Sequence, residues 1–195
     1  MSYSLDITDE NCYSGTTVLI NKLGIKDEKQ LMNIEGFITG TVAAQLICKP
    51  LKADFSFSDY KNIHYQLFSE LYNWAGKTRV ISLSKSATNF TAPEKIDDLG
   101  ERIFERLNKL NYLLDLSRAE FVVEVADLYN TINMLHPFRE GNGRTQRVFF
   151  IQLIRNAGYD IDFSELNSDN LLIGSIQAAA GVMDNLILFF EENIK

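Results

Sequence analysis

One stretch of this 195-residue chain combines side chains that bind phosphate with a side chain that can accept a proton. It runs from His136 to Arg147 and has the sequence HPFREGNGRTQR. The reference pKa of histidine is about 6.5, so the neutral imidazole of His136 can take up a proton near neutrality. Arg144 and Arg147 are three residues apart, which places both guanidinium groups on one face of a helix, where they can bind the same anion.

The Gly141-Asn142-Gly143 turn lies between these groups. Glycine lets backbone N–H groups approach a ligand closely, and the first N–H groups of a helix have no internal acceptor. A helix that begins at this turn would therefore bind an anion such as phosphate. Glu140 precedes the turn, where a carboxylate is expected only if a cation such as Mg²⁺ joins it to phosphate. The stretch predicts a polyphosphate–metal site with a base at its edge.

Each of these features has a common structural explanation when it stands alone. A His-Pro pair usually ends a helix, and a Gly-Asn-Gly sequence is usually a turn. Two arginines three residues apart usually form a solvated face, where an ion pair contributes under ~1 kcal/mol. Two glycines, an acid and two arginines around one turn have no obvious role in packing, so their combination favours a binding site.

The same stretch resembles the signature of the Fic family, HPFx(D/E)GNGRxxR, at all nine fixed positions. Upstream, the sequence IHYQLF at 63–68 and YNWAGKTR at 72–79 is similar to the family's IHxxLF…YxWAGxxR segment. The similar regions cover roughly residues 15–160. The resemblance implies a single, mostly α Fic-type domain over residues 1–195. It also implies a small β-hairpin flap at about residues 79–91, beside the active-site signature at 136–147.

Apolar residues at helical spacing independently predict a mostly α chain. The predicted helices begin at Asp27, Ser58, Pro93 and Ser117; Asp27 with Gln30 and Ser117 with Glu120 resemble capping boxes. A polar segment at 84–87 flanked by apolar residues predicts the turn of a hairpin. The apolar pattern from Ser168 to Phe190 predicts one further core helix. His64 lies off the apolar stripe of its helix, and we expect it to hydrogen-bond to a neighbouring loop.

The composition is that of a soluble globular protein, with 46% hydrophobic and 23% charged residues. The formal charge of −7 disfavours general binding of nucleic acid, which depends on Lys and Arg contacts to phosphates. No apolar run approaches the ~20 residues of a membrane span, and the first residues lack the features of a secretory signal. Cys12 and Cys48 lack metal-type spacing and are expected to be free thiols. We therefore expect a cytoplasmic protein.

The resemblance implies a protein adenylyltransferase, which moves AMP from ATP onto a Ser, Thr or Tyr hydroxyl of a target protein. His136 would be the base and Glu140 would hold Mg²⁺. The implied ligands of the ATP phosphates are Gly141, Asn142, Gly143, Arg144 and Arg147. Lys85 and Phe90 of the flap would face the mouth of the site and the target. The alternatives are phosphoryl transfer, as in the related Doc toxins, and a catalytically silent nucleotide-binding module.

Many Fic enzymes are inhibited by a helix with the pattern (S/T)xxxE(G/N), and no complete match occurs in this chain. Near matches occur at Glu35, with Leu31 in place of Ser or Thr, and at Glu192, with Leu188 there. The absence resembles the toxin class of the family, in which a separate small antitoxin supplies the helix. The known targets of that class suggest a bacterial type II topoisomerase. The alternative is that Glu35 is a degenerate internal brake.

Overall fold

The computed structural model describes residues 11–49, 54–85 and 88–195. These residues form seven α-helices and one two-stranded hairpin, so the prediction of a mostly α fold is confirmed. The helices are α1 (Glu28–Cys48), α2 (Phe57–Phe68), α3 (Ile96–Lys109), α4 (Arg118–Leu135), α5 (Asn142–Asn156), α6 (Ser168–Ala179) and α7 (Asp184–Asn193). Short 3₁₀ turns at Pro93–Lys95 and Asn111–Leu113 flank α3.

Helix α5 lies at the centre of the fold and packs against α1, α2 and α4. Its Phe149, Phe150 and Leu153 have no exposed surface. Tyr60 of α2 and Phe104 of α3 each lie 5.4 Å from Phe149 between ring centroids. Burying a side chain of this size contributes about 1.5–3 kcal/mol relative to exposing it. The packing of these side chains therefore fixes the position of α5, including its first turn.

Side-chain caps fix the starts of three of these helices. Asp27 accepts the backbone N–H of Gln30 at the start of α1, which is the N-cap half of the predicted capping box. Ser117 and Glu120 form the predicted capping box of α4. The start of α2 was predicted wrongly, because Ser56 forms the capping box with Asp59 and Ser58 lies inside the helix. The error of two residues arose because both serines precede the same apolar stripe.

The hairpin consists of β1 (Ser84–Lys85) and β2 (Thr88–Asn89), paired antiparallel. The strands are shorter than expected and include two residues of the predicted turn; the rest of that turn, residues 86–87, lies outside the described residues. The pairing continues only to the N–H of Phe90, which donates to Leu83 O. Beyond this point the carbonyls of Ile81 and Thr91 accept hydrogen bonds from Arg79 instead of from a neighbouring strand.

The C-terminal region forms two helices, so the prediction of one helix from Ser168 to Phe190 was wrong. The chain reverses at Gly181, whose φ of +92° few other residues adopt. The two helices pack against each other and against α4. The apolar spacing continued across the turn because both α6 and α7 bury one face in the same core.

Helix α1 is long and apolar enough to span a bilayer by length and composition, contrary to the expectation that no apolar run approaches this length. It alone meets this test among the described residues. Its buried Glu35 and Thr39 both contact Arg144 of α5. In this structure α1 therefore contacts the signature through these two residues.

Candidate active site

His136 ends helix α4 in a left-handed conformation, with φ 45° and ψ 58°. Its Nδ1 lies 3.1 Å from the carbonyl oxygen of Asn133. A carbonyl can only accept a hydrogen bond, so Nδ1 carries the proton of the neutral ring and Nε2 carries the lone pair. Phe90, directly after β2, stacks on the imidazole at 3.7 Å between centroids and 12° between planes. The ring is therefore held as a neutral base of defined orientation.

Burial is the main reason that the pKa of His136 is lowered to about 3. The positive charges of Arg79 and Lys85 lower the pKa further, whereas the hydrogen bond to Asn133 raises it. The unliganded protein therefore keeps this imidazole uncharged throughout the physiological range. A neutral imidazole is the protonation state that general-base chemistry requires.

The loop after His136 is closed by contacts inside the signature itself. The Asn142 side chain accepts from the N–H of Phe138 at 2.9 Å and donates to the carbonyl of Phe138 at 2.7 Å. The Phe138 ring has no exposed surface and stacks on Tyr60 of α2. Phe138 therefore anchors the loop in the core. The amide of Asn142 shapes the turn, which leaves only its backbone for a ligand.

His64 of α2 also contacts this loop and is buried completely. The N–H of Gly76 donates to its Nδ1 at 2.8 Å, so Nε2 carries the proton and donates to the carbonyl of Glu140 at 3.0 Å. Its ring stacks on Phe138 at 3.8 Å. Burial lowers the pKa of His64 to about 3. Both nitrogens are used within the protein, which confirms the expectation of a loop-binding histidine.

The N-terminus of α5 begins at the predicted glycine turn. Gly141 is the N-cap with φ +80°, and no side chain of the described residues caps the helix there. A Cβ at Gly141 would overlap the ring of Phe68, so only glycine fits. Gly143 is exposed in the first turn. The first N–H groups of a 15-residue helix therefore remain available to an anion, with the positive end of the helix dipole behind them.

The two arginines of the signature have different surroundings. Arg144 donates to Glu35 Oε1 at 2.5 Å and to Thr39 Oγ1 at 3.1 Å, and it lies over the ring of Phe68. Arg147 is half-buried, and its guanidinium has neither a hydrogen bond nor an ion pair within the described residues. A cation without a protein partner, beside an uncapped helix N-terminus, is suited to binding an external anion.

A cavity of about 610 Å³ joins the base to this cation. Its wall includes His136, Gly143 and Arg147 from the signature, and Lys85 and Phe90 from the flap. The structure thus brings these five predicted site residues together. Four other predicted site residues are not part of the wall: Glu140, Gly141, Asn142 and Arg144. Arg144 instead pairs with Glu35 of α1.

Glu140 is the candidate ligand of a metal ion. Its Oε1 accepts the N–H of Gly141 at 2.9 Å and lies 3.6 Å from Arg144, while Oε2 has no hydrogen bond among the described residues. No group of three or more potential ligands in the described ranges could hold a metal ion by itself. Mg²⁺ is often held by one or two carboxylates, with substrate phosphates and water completing its shell. Glu140 therefore fits Mg²⁺ that arrives with a polyphosphate.

Two contributors to this site were not assigned from the sequence. Asn133 fixes the tautomer of His136 through its carbonyl, which any residue could supply, so no sequence signal marks it. Arg79 donates to the carbonyl of His136, and its position in the WAGxxR segment was noted without a role.

The sequence matches the Fic/DOC family over residues 54–154, more than half of the chain and including the stretch from His136 to Arg147. The chain belongs to the Fic/DOC family. It is similar to the protein adenylyltransferase VbhT of Bartonella schoenbuchensis, with 34% identity over 92% of this chain. It is also 35% identical, over 90% of its length, to the probable protein adenylyltransferase y4lH of Sinorhizobium fredii. The match spans 37% of VbhT and 90% of y4lH.

Solved Fic domains share the fold. The N-terminal Fic domain of a Bep effector protein from Bartonella sp. AR 15-3 has a TM-score of 0.90 and 28% identity, covering 100% of this chain and 95% of that one. BepC of Bartonella tribocorum, solved with bound AMPPNP, has a TM-score of 0.88 and 28% identity, covering 97% and 98%. These structures confirm the family recognised from the signature, and the names of the sequence relatives VbhT and y4lH support the enzyme class expected from it.

Proposed function

We propose that this Fic protein transfers AMP from ATP to a hydroxyl side chain of a target protein. The observation that carries the proposal is one cavity that connects two groups. The first is a neutral, oriented imidazole, and the second is a guanidinium without a partner among the described residues, at a helix N-terminus that none of their side chains caps. The imidazole accepts a proton, and the guanidinium and the helix N-terminus bind polyphosphate. Chemistry on a nucleoside triphosphate needs both functions within one cavity.

In this proposal, His136 Nε2 accepts the proton of the target hydroxyl while the hydroxyl oxygen attacks the α-phosphorus. A new P–O bond forms, the bond between the α-phosphorus and the bridging oxygen breaks, and pyrophosphate leaves with that electron pair. Backbone N–H groups at the start of α5 stabilise the phosphate oxygens in positions fixed before the reaction. Arg147 binds the outer phosphates and so orients the α-phosphate towards the hydroxyl.

The remaining cavity wall supports a nucleotide as the ligand. Beyond Arg147 the wall is largely apolar and includes Phe163, Leu166, Leu171, Leu172 and Ile176. An apolar wall next to a phosphate site suits the flat base of a nucleotide. The structural neighbour BepC carries AMPPNP, an ATP analogue.

Glu140 would hold Mg²⁺ together with phosphate oxygens of ATP. When bound, this ion would neutralise charge that develops on the leaving pyrophosphate. Arg144 was expected to bind phosphate as well. Its pairing with Glu35 gives it a second task, which is to join α1 to the glycine turn.

Mass spectrometry of a bacterial lysate incubated with the protein and ATP tests the proposal. We expect at least one Ser, Thr or Tyr residue to gain one AMP. Purified bacterial type II topoisomerase is the first defined target to test, because the resemblance to toxin-class Fic proteins suggests it. Transfer of phosphate instead of AMP would favour the Doc-type alternative, and the absence of any modification would favour a silent nucleotide-binding module.

The proposal extends to a toxin that acts in the bacterial cytoplasm and is inhibited by a separate antitoxin with an (S/T)xxxE(G/N) helix. The two oxygens of Glu35 are used by Arg144 and by the hydroxyl of Tyr72, while Arg147 has no partner in the described ranges. Glu192, the other near match, is exposed. These contacts support inhibition from outside the chain over an internal brake at Glu35.

Expression in bacteria tests this regulation. We expect the wild-type protein alone to arrest growth, and a small protein encoded next to it to relieve the arrest. Glu35→Gln is expected to leave the rate of AMP transfer unchanged or lower, because it loosens Arg144. A several-fold increase in that rate would instead identify Glu35 as an internal brake.

A further inference from the structure

Arg79 is a buried arginine whose guanidinium binds three backbone carbonyls. Its Nε donates to His136 O at 2.8 Å, and its two terminal nitrogens donate to Ile81 O and Thr91 O at 2.6 Å each. Its backbone N–H donates to Pro137 O at 2.8 Å. Only 4% of the residue is exposed. Hydrogen bonds from a charged donor are stronger than those from a neutral one, and burial shields them from competition with water.

The three carbonyls belong to two different parts of the molecule. Ile81 precedes β1 and Thr91 follows β2, so Arg79 binds both ends of the hairpin. The carbonyl of His136 belongs to the residue that ends α4. Thr91 adds two further bonds across the same junction, because both its N–H and its Oγ1 donate to Met134 O at 3.0 Å.

The hairpin also contacts the imidazole directly. Phe90 lies between β2 and Thr91, and its ring stacks on that of His136 at 3.7 Å. Arg79 therefore fixes the backbone of His136 and the ends of the segment that covers the ring. A left-handed residue such as His136 is costly without such support, because this conformation is unfavourable by about 1–2 kcal/mol for residues with a Cβ.

We propose that Arg79 is a positioning residue that locks the flap and the base His136 together as one rigid unit. This inference rests on the proposed AMP transfer, for which the target hydroxyl must meet Nε2 of His136 between the flap and the nucleotide. Arg79 does not line the cavity, and the contacts described above do not include a bond from Arg79 to a residue assigned to phosphate binding. Its loss should therefore reduce the rate of transfer while leaving the affinity for ATP intact.

The test compares wild type with Arg79→Lys and Arg79→Gln, using ATP labelled at the α-phosphate and a bacterial lysate as the source of target. We expect the maximal labelling rate to fall ~100-fold in Arg79→Gln, since a displacement of about 1 Å can have this effect, and less in Arg79→Lys. The KM for ATP and the Kd for magnesium-ATP should stay within about twofold of wild type. Unchanged rates, or a KM for ATP that rises in proportion, would overturn the inference.

Hydrogen exchange supplies a readout that does not depend on activity. In Arg79→Lys, the amides of residues 79–91 and of 134–138 should exchange faster together, while those of α6 and α7 stay protected. Uniformly faster exchange would indicate a merely structural role and overturn the inference. Arg118→Lys is the matched control, because Arg118 also donates to two carbonyls, Glu191 O and Ile194 O, at a helix end remote from the flap.

A second variant keeps the inference testable if the Arg79 variants do not fold. Thr91→Val has nearly the same shape but removes the Oγ1 bond to Met134, so it should lower the labelling rate several-fold at unchanged KM for ATP. A wild-type rate would contradict the coupling. If wild type itself labels no protein, the proposed function fails, whereas the exchange experiment still decides whether Arg79 couples the two segments.

Discussion

Residues of the same type differ in this protein according to which atoms the fold leaves available. His64 and His136 are both buried and neutral, but they carry the proton on different nitrogens: His64 donates from Nε2 to a backbone carbonyl, whereas His136 donates from Nδ1 and has Nε2 as its unprotonated nitrogen. Arg144 is paired with Glu35, and Arg147 has no partner within the described part of the chain. His136 and Arg147 both border the cavity, whereas His64 and Arg144 do not, which assigns the chemistry to His136 and Arg147.

Replacing each arginine of this pair by glutamine should separate binding from stability. Arg147→Gln is expected to weaken magnesium-ATP binding ~10–100-fold, because a hydrogen bond from a charged group contributes about 1.5–3 kcal/mol. The free energy of unfolding should change little. Arg144→Gln should lower the free energy of unfolding by roughly 2 kcal/mol, because it leaves Glu35 without its partner. Calorimetry and urea unfolding measure the two quantities. Equal loss of stability in both variants would contradict the assignment.

At the scale of elements, the site depends on the junction where α4 ends, the turn follows and α5 begins. This junction requires glycine at position 141, because φ is +80° there and a Cβ would overlap the ring of Phe68. The buried Phe138 and the Asn142 amide then fix the turn onto the core. The N–H groups at the start of α5 are thereby oriented before any ligand arrives, and a ligand need not supply the energy of ordering them.

Gly141→Ala should disrupt this junction specifically, with Gly181→Ala as its control. Both glycines have positive φ, but a Cβ at Gly181 would meet nothing within 4 Å. We expect Gly181→Ala to lower the free energy of unfolding by about 1–2 kcal/mol and to bind magnesium-ATP normally. Gly141→Ala should lose roughly 1–3 kcal/mol more through overpacking, and its ATP binding should fall at least tenfold. Wild-type ATP affinity in Gly141→Ala would show that the turn does not hold the phosphates.

Local signals in the sequence predicted some of these elements well and others poorly. The predictions of the capping box at Ser117 and of the glycine turn before α5 were correct because each depends on residues close together in the chain. The predictions of the hairpin and of the C-terminal helices were less accurate. Arg79, remote in sequence from Thr91, takes the carbonyl that would extend the ladder, and the apolar spacing of α6 and α7 does not reveal that the chain reverses at Gly181.

For the whole molecule, the sequence predicted the family, the mostly α fold and the stretch that contains the candidate site. It could not distinguish Arg144 from Arg147, because their difference depends on Glu35, more than a hundred residues away. It also could not predict how buried His136 is, since burial depends on Phe90 and the flap. Motifs encode which groups are present, whereas long-range packing decides which of them remain unpaired.

The two buried histidines should make the stability of the whole protein depend on pH. Their pKa values are about 3 in the folded state and about 6.5 in the unfolded chain, so below about pH 6.5 the unfolded chain binds protons that the folded protein does not. The histidines therefore leave the free energy of unfolding undiminished well above pH 6.5 and lower it as the pH falls. The decrease should be roughly 2 kcal/mol per histidine at about pH 5.

His64→Gln isolates this effect, since His64 and His136 are the only histidines in the chain. Urea unfolding between about pH 7.5 and 5 should show that the variant loses roughly 2 kcal/mol less than wild type over this range, although it is less stable at the upper end. Parallel pH profiles for the two proteins would mean that His64 is not kept neutral by the fold.

The position of the label that reaches the target tests the central claim most directly. ATP labelled at either the α- or the γ-phosphate is incubated with bacterial lysate and either wild-type protein or His136→Ala. We expect wild type to transfer the α-label alone, and His136→Ala to bind magnesium-ATP normally but to transfer label ~10²–10⁴-fold more slowly. Transfer of the γ-label, or an unchanged rate in His136→Ala, would contradict AMP transfer with His136 as the base.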